Sequence, residues 1–382
     1  MKLSCLQENL NRGLSIVQRA VAVRTTLPIT NNVLLATDKS RLKLQATNLE
    51  MALSCWIGGK VEEEGAITVP ARLLTEFVAS LQPDKVNITL TPKTKTLSLK
   101  CARFEARISG VDAADFPPVP KVEDGITTKV EADAFRQAVR QVVFAAAVEE
   151  SRPVLTGVDA TFEDSTLTLA AADGFRLAVF KLPLANKVSQ KAEVIIPART
   201  LAEVERLAAG NEPVEILVNP NKSQVLFRIR SEAEPKDIEL VSQLVQGTFP
   251  KYNQLIPQSF TTKAVVDVQQ FLRATKTAAI FARDGSGIVR LIMTPGGEVA
   301  TGKLTVSARS EEIGDDVGEI DATTEGPEAK IAFNGKYMID ALSVIKESQV
   351  ALEVTTPSSP GVLKPVGTEN YIHVVMPMFV QW

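Results

Sequence analysis

The side chains most often used in catalysis are few and scattered in this sequence. The only histidine, His373, lies among apolar neighbours in a predicted strand, so a Ser-His-Asp triad would rest on one poorly placed imidazole. No GxxxxGK[ST] segment occurs, which excludes a P-loop for ATP. Asp112 and Asp115 could bind magnesium together, but they lie beside a proline-rich segment and are expected to cap a loop. These residues predict no catalytic site, no cofactor and no bound metal.

Composition is typical of a globular protein without a membrane segment. The chain has 382 residues, of which 45% are hydrophobic and 23% are charged. No run approaches the roughly 20 apolar residues that span a bilayer, and the N-terminal residues break into polar Gln7, unlike a signal peptide. The three cysteines, Cys5, Cys55 and Cys101, are widely spaced, which indicates reduced thiols. We therefore expect a cytoplasmic protein without a membrane partner.

The net charge of −3 leaves two possibilities for nucleic acid. Small nucleic-acid-binding domains usually have a basic excess. Either this protein binds no nucleic acid, or its positive charge is concentrated on one surface.

A threefold repeat organises the chain. Three segments each consist of a β-branched strand that turns into an amphipathic helix: Ile67–Arg72, Val194–Arg199 and Lys330–Gly335. An amphipathic helix is predicted upstream of each, over Cys5–Val21, Ala132–Ala147 and Val268–Ala282. Alternating strands follow every helix, so the order helix, strands, helix, strands occurs three times.

Matching seams separate the copies. Proline follows phenylalanine in both Asp115–Pro118 and Thr248–Lys251, and such segments suit short, stiff linkers. We predict an α+β fold of three similar domains, each with two helices packed on antiparallel β-sheets. The predicted boundaries are 1–125, 126–252 and 253–382.

Six segments spread in order along essentially the entire chain carry a resemblance to a known family. They are Thr26–Leu35 with Ala46–Glu50, Arg152–Val158 with Ala172–Ala178, and Gly287–Leu291 with Tyr371–Met378. The Asp-Gly-x-Arg-Leu and Val-Met-Pro-Met elements in this order are quite specific. With these segments the sequence resembles the three domains of the bacterial DNA sliding clamps, which are beta subunits of DNA polymerase III.

The resemblance implies the DNA clamp fold, in which a head-to-tail homodimer forms a ring around duplex DNA. The implied partners are double-stranded DNA without sequence preference, the polymerase III catalytic subunit, a clamp loader and other proteins with clamp-binding motifs. If two helices per domain line the hole and pack ~8–10 Å apart, one chain encloses only ~18 Å between helix axes. Two chains enclose about 35 Å, or ~25 Å after side chains are subtracted, which admits a duplex.

Sliding favours a ring that is nearly neutral and carries positive charge on its inner helices, because each neutralised phosphate adds affinity. Cations lie in or near the predicted helices, where they are expected to contact phosphates without reading bases. The predicted DNA-facing residues are Arg24, Arg72, Arg136, Arg140, Arg199, Arg273 and Lys276. The alternative is that these side chains simply solvate surface helices.

The family also implies an apolar groove that takes partner peptides. Matching residue by residue gives Leu155, Gly174, Phe175, Arg176, Leu177, Pro250, Leu255, Val374, Met376, Pro377 and Met378, with Asn334, Tyr337 and Val362 at the rim. Flexible methionines suit a surface that accepts several peptides. Three departures bear on peptide preference: Phe175 replaces a frequent histidine, Gln254 replaces a frequent basic residue, and the tail 379–382 is long and aromatic.

For the dimer contact, the resemblance points to Phe104 of one protomer against Ile280 and Phe281 of the other. Phe104 alternates with charged neighbours, as a residue on an edge strand would.

Two other functions stay open for this sequence: an enzyme with a carboxylate-only or metal site, and a scaffold built from the same repeats.

Overall fold

The structure is a computed structural model, and it describes residues 1–22, 25–149, 151–282, 287–297, 301–312 and 314–382. The chain packs into two compact units. Unit 1 comprises Met1–Arg136, Glu163–Ser165 and Pro183–Val245, and unit 2 comprises Gln137–Phe162, Thr166–Leu182 and Gln246–Trp382. The predicted domain boundaries stay predictions.

The same order of elements occurs three times. The first copy contains β1 (Lys2–Leu6), α1 (Gln7–Val17), β2 (Asn32–Asp38), β3 (Arg41–Thr47), β4 (Met51–Ile57), β5 (Lys60–Glu63), β6 (Ala66–Pro70), α2 (Ala71–Ser80), β7 (Lys85–Thr91), β8 (Thr96–Cys101) and β9 (Phe104–Ser109). The second contains β10 (Ile126–Val130), α3 (Ala132–Val142), β11 (Gly157–Glu163), β12 (Thr166–Ala172), β13 (Arg176–Pro183), β14 (Ala192–Pro197), α4 (Ala198–Leu207), β15 (Val214–Val218), β16 (Gln224–Arg230) and β17 (Asp237–Gln243). The third contains β18 (Thr262–Asp267), α5 (Val268–Ala282), β19 (Ile288–Thr294), β20 (Gly302–Ser310), β21 (Gly314–Glu325), β22 (Ala329–Asn334), α6 (Gly335–Val344), β23 (Gln349–Val354), β24 (Gly361–Pro365) and β25 (Tyr371–Val375).

Antiparallel sheets and amphipathic helices confirm the predicted α+β fold. Unit 1 contains a sheet in the order β5-β1-β7-β8-β9 and another in the order β10-β15-β16-β17-β4-β3-β2-β6. Helix α1 buries Leu10, Leu14 and Val17 at helical spacing. Gly13 is required between them, because a Cβ there would lie 2.7 Å from a side-chain carbon of Ile57 on β4.

Unit 2 is built in the same way. Its strands run in the hydrogen-bonded order β11-β12-β13-β25-β24-β23-β18-β21-β20-β19-β22. Helix α5 buries Val268, Phe271, Thr275 and Ala278, again three or four residues apart. This helix has the bounds that the sequence predicted.

The other predicted helices begin or end differently. The first was predicted from Cys5, but Lys2–Leu6 forms strand β1 and only Gln7–Val17 is α-helical. A 3-10 turn follows each of these α-helices: Gln18–Ala20 follows α1, and Val143–Ala145 follows α3. Short apolar runs fit either type of element, which explains the error at the N-terminus. None of the helices in the described part of the chain is long and apolar enough to cross a membrane.

Two strand pairs join consecutive copies of the repeat. In the first junction, within unit 1, β17 pairs antiparallel with β4. In the second junction, within unit 2, β25 pairs antiparallel with β13. Each junction therefore joins the last strand of one copy to the fourth strand of the copy before it, counting β4, β13 and β21 as equivalent.

One further junction of this kind is left open among the described residues. The two strands concerned are not equivalent to each other, and the relevant part of each is paired on one side only. Strand β9, which corresponds to β17 and β25, pairs with β8 and is the last strand of its sheet. Residues 314–321 of β21, which correspond to β4 and β13, pair with β20 but with no second strand among the described residues. We call these two segments the open edges.

Candidate functional site

One face of the second junction is an apolar patch. Leu177 lies opposite Val374 and Val179 lies opposite Ile372, and side chains that alternate along these strands share one face. Leu177, Val179 and Val374 are buried in one cluster with Ala170 and Val362 from the neighbouring strands. Three residues predicted to line the groove, Leu177, Val362 and Val374, therefore lie together, and we call this cluster the floor of the predicted groove.

The segment after β17 forms one wall of this groove. Tyr252 and Ile256 are partly buried and pack against the floor. Between them Leu255 is 55% exposed, and Pro250 is exposed too. This wall therefore offers apolar surface to solvent beside a buried apolar floor.

An aromatic pair lies beside the start of β13. Phe175, which is 57% exposed, stacks on Tyr337 with ring centroids 6.3 Å apart and an interplanar angle of 26°. Asn334 caps helix α6, since its side-chain oxygen accepts hydrogen bonds from the backbone N–H groups of Lys336 (2.9 Å) and Tyr337 (3.4 Å). That cap fixes the start of the helix that presents Tyr337.

Gly174 permits the turn before this aromatic pair. Its φ of +95° favours glycine, and a Cβ there would lie 3.1 Å from the guanidinium of Arg152. Leu155 is buried in unit 2, and its carbonyl oxygen accepts a hydrogen bond from the N–H of Ala147 (2.8 Å). Neither residue belongs to the cluster of Leu177, Val362 and Val374.

Arg176 points away from the groove floor. It alternates with Phe175 and Leu177, and its guanidinium contacts Asp173, Asp340 and the carbonyl of Phe144, with only 7% of the side chain exposed. A peptide in the groove meets little of this side chain, so Arg176 supports the aromatic pair from behind.

The last residues close the groove rim. Met376 is 41% exposed, and its N–H donates to the carbonyl of Phe175 (2.8 Å). Pro377 and Met378 are half-buried, and the N–H of Met378 donates to the carbonyl of Ala332 (2.7 Å). Five further residues of the cluster were not among the predicted groove residues: Ala170, Val179, Tyr252, Ile256 and Ile372. Strand alternation could have found Val179 and Ile372.

The predicted DNA-facing cations differ in their surroundings. Arg199, Arg273 and Lys276 are exposed on α4 and α5, and no carboxylate of the described residues forms an ion pair with them. Arg72 is exposed on α2 but bonds Glu76 at 2.8 Å, and this contact raises the pKa of its guanidinium.

On α3 the cations are less free. Arg136 is half-buried and bonded to Asp133, and Arg140 is exposed. Arg24 lies outside the described residues. Three cations of the predicted set are therefore available to an anionic partner without breaking an ion pair.

The predicted dimer residues present apolar surface. Phe104 begins the open edge β9 and is 57% exposed, and Ile280 on α5 is 55% exposed. Phe281 is half-buried. Exposed large apolar side chains at a strand edge mark a surface that pairs with another chain.

The one histidine has no catalytic setting. His373 is completely buried between Phe144 and Tyr371, and burial together with nearby Arg176 lowers its pKa to about 3. It is therefore neutral at pH 7. Among the residues that the structure describes, no group of three or more His, Cys, Asp or Glu side chains is placed to hold a metal.

Comparison with known proteins agrees with this architecture. Family profiles described as the N-terminal, central and C-terminal domains of the DNA polymerase III beta subunit match residues 1–120, 129–251 and 253–379. The chain is 31% identical to the beta sliding clamp of Synechococcus elongatus over 99% of both chains. It is 29% identical to that of Bacillus subtilis, again over 99% of both.

Solved structures give the same result. The DNA polymerase sliding clamp of Bacillus subtilis superposes with a TM-score of 0.92 at 28% identity and full coverage of both chains. The DNA polymerase III beta subunit of Pseudomonas aeruginosa gives 0.90 at 27% identity, also with full coverage. The chain therefore belongs to the DNA polymerase III beta subunit family, the bacterial sliding clamps.

Proposed function

We propose that this protein is a non-catalytic processivity factor: a cytoplasmic homodimeric ring that encircles duplex DNA, slides along it and tethers replication and repair proteins. The observation that carries the proposal is the pair of open edges. Two strand pairs join the three copies of the repeat in series, and the strands for a third such pair are present but have no junction partner among the described residues. Closing a head-to-tail assembly into a ring requires a second chain to complete this third strand pair.

The register of the third pair follows from the repeat. Strand β9 corresponds to β17, because Phe104 lies opposite buried Cys101 of β8, as Ile238 lies opposite buried Ile229 of β16. Both preceding strands, β8 and β16, alternate buried and exposed residues as they approach the hairpin. Phe104 is therefore the counterpart of Ile238.

Strand β21 corresponds to β4 in the same way. Ile320 lies opposite Leu304 in one hairpin, and Ile57 lies opposite Leu42 in the other. Counting back two residues from each isoleucine makes Gly318 the counterpart of Cys55.

The first junction then predicts the third. Ile238 lies opposite Cys55 there, so Phe104 is expected to lie opposite Gly318 of the partner protomer. A Cβ on Gly318 would lie 3.8 Å from the Cβ of Ala274 on α5. Phe104 would thus enter beside α5, the helix that carries Ile280 and Phe281.

Charge supports this register. It places Arg103 opposite Glu319 and Arg107 opposite Asp315, two pairs of opposite charge. Four of the eight residues on the open edge of β21 are acidic and none is basic, which discourages pairing with a second copy of itself. The two open edges are complementary to one another.

The exposed cations support sequence-independent contact with DNA. Arg199, Arg273 and Lys276 lie on helices, are free of ion pairs among the described residues, and can contact phosphates. A net charge of −3 keeps non-specific affinity low, as sliding requires. The ring is held by its topology more than by charge.

The groove at the second junction supports the tethering role. A buried apolar floor between two partly exposed apolar walls suits a short peptide that inserts side chains into pockets. The polymerase III catalytic subunit, the clamp loader and other proteins with clamp-binding motifs are the proposed partners. The sequence has no P-loop, so the ATP-dependent opening of the ring would fall to the loader.

Topology tests the proposal. The protein is loaded on a nicked circular plasmid by its clamp loader and washed in high salt, and half of the sample is then linearised. We expect retention on the circle and loss from the linear form, because screened phosphate contacts no longer hold the ring. Equal retention on both forms would contradict a sliding clamp and favour a DNA-binding scaffold.

A further inference from the structure

Arg176 links the groove wall to helix α6. Its Nε donates to Asp173 at 3.0 Å, one terminal nitrogen donates to Asp340 at 2.7 Å, and the other donates to the carbonyl oxygen of Phe144 at 2.8 Å. A guanidinium buried to this degree needs such partners, because an unpaired buried charge is costly.

Asp173 holds the turn that carries Phe175. Its other carboxylate oxygen accepts hydrogen bonds from the backbone N–H groups of Phe175 (2.9 Å) and Arg176 (3.0 Å). The turn, Arg176 and Asp340 on α6 therefore form one continuous set of charge-assisted hydrogen bonds.

The same guanidinium supports the aromatic pair directly. It lies 4.5 Å from the ring centroid of Tyr337, within cation–π range, and Tyr337 in turn stacks on Phe175. Buried His373 does not repel this cation, because its imidazole is neutral at pH 7. The position of the groove wall thus depends on where Arg176 is held.

We propose that Asp340 is a positioning residue for partner binding: through Arg176 it holds the Phe175–Tyr337 wall in the orientation that a peptide meets. Asp340 itself lies outside the groove lining. Its side chain is 26% exposed, and it also pairs with Lys336 at 3.0 Å on the solvent side. The inference rests on the proposed peptide groove.

The structure offers a matched pair of substitutions. Asp340→Asn removes the carboxylate charge that anchors Arg176. Lys336→Gln removes only the solvent-side partner of Asp340, since the Lys336 side chain is 75% exposed. We expect Asp340→Asn to weaken binding of a labelled peptide from the clamp-binding segment of the polymerase III catalytic subunit about tenfold. Lys336→Gln is expected to change it less than about twofold.

Two further measurements separate positioning from general damage. Asp340→Glu keeps the charge and is expected to recover most of the affinity. In a Tyr337→Leu background, Asp340→Asn is expected to cost almost nothing further, because the wall it positions is gone. An undiminished loss in that background, or no rescue by Asp340→Glu, would overturn the role of Asp340.

The groove itself has a separate control. If Tyr337→Leu and Phe175→Ala each leave peptide binding unchanged, the groove is misplaced and the proposal for Asp340 falls with it. If both weaken binding while Asp340→Asn does not, the groove stands and only the positioning role is wrong.

Discussion

The first and second junctions share a backbone but present different surfaces. Residues Ala46–Leu53 correspond to Ala171–Ala178, and both segments turn into a junction strand. The N–H of Gln243 donates to the carbonyl oxygen of Glu50 at 2.8 Å, and the N–H of Met376 donates to that of Phe175 at the same distance. The repeat therefore builds the same frame twice.

Side chains decide what each frame exposes. At the first junction the rim residues are Glu50 and Gln243, and the linker valine Val122 is only 3% exposed over Leu217 and Leu226. At the second junction the equivalent rim residues are Phe175 and Met376, and the linker leaves Leu255 in solvent. The second junction therefore exposes more apolar surface at these positions than the first, where Leu49 and a small pocket beside Pro117 remain open.

The largest expected effect comes from giving the second junction the rim of the first. Phe175→Glu combined with Met376→Gln removes two exposed apolar contacts and is expected to weaken binding of the polymerase peptide by about 100-fold. Fluorescence anisotropy would measure it. Leu73→Gln, at an apolar residue 52% exposed on α2, is the control and should leave the affinity unchanged. A comparable loss in both variants would show that rim chemistry does not distinguish the junctions.

A smaller effect is expected when the first linker is loosened. Val122→Ala removes buried apolar volume and is expected to lower the free energy of unfolding of unit 1 by about 1–2 kcal/mol without changing peptide affinity. Denaturant unfolding followed by Trp56 fluorescence would report it. Leu255→Ala should do the reverse, since that side chain is 55% exposed at the groove. Peptide affinity that falls with Val122→Ala would contradict the assignment.

The smallest effect concerns pH. Leu240 at the first junction corresponds to His373 at the second, whose pKa is lowered to about 3 by burial and by Arg176. The unfolded chain, with a histidine pKa of about 6.5, binds this proton first. Stability of unit 2 should therefore fall as the pH drops below 6.5, by about 1 kcal/mol between pH 7 and 5.5.

The matching variant isolates that histidine. His373→Leu places at the second junction the leucine that the first junction has. Between pH 7 and 5.5, the free energy of unfolding of this variant should fall by about 1 kcal/mol less than that of the parent. Urea unfolding at both pH values gives the comparison. Parallel pH profiles for the two proteins would mean that the buried imidazole contributes nothing.

Local patterns predicted much of this molecule. The 3.6-residue spacing of α5 gave both of its ends, and three copies of one element order gave the fold. Alternation along the strand also places the Arg176 side chain on the other face from Phe175 and Leu177, although matching to the family put all three residues in the groove. Its contacts with Asp340 depend on tertiary packing, which no local pattern contains.

Other features needed the folded chain. Tyr252 and Ile256 reach the groove floor from a linker whose path is set by packing. The strand Lys2–Leu6 was missed because a short apolar run before a helix reads as its first turn. The strand pairs that join the copies are long-range, and only they revealed that one pair is missing.

The central claim is that a second chain completes the third junction. In the proposed register Arg107 faces Asp315 of the partner, and Cα atoms opposite each other in an antiparallel pair lie about 4.5–5.5 Å apart, within reach of a disulfide. The three native cysteines, Cys5, Cys55 and Cys101, are all buried, so they should not compete.

The decisive measurement is oxidation of the double variant Arg107→Cys, Asp315→Cys, followed by non-reducing electrophoresis. We expect a covalent dimer that is absent from each single variant. We expect none from Arg107→Cys, Glu319→Cys, whose positions lie about 13 Å out of register at ~3.3 Å per residue. A monomer from the in-register pair, or equal cross-linking of both pairs, would contradict the closure of the ring by these two edges.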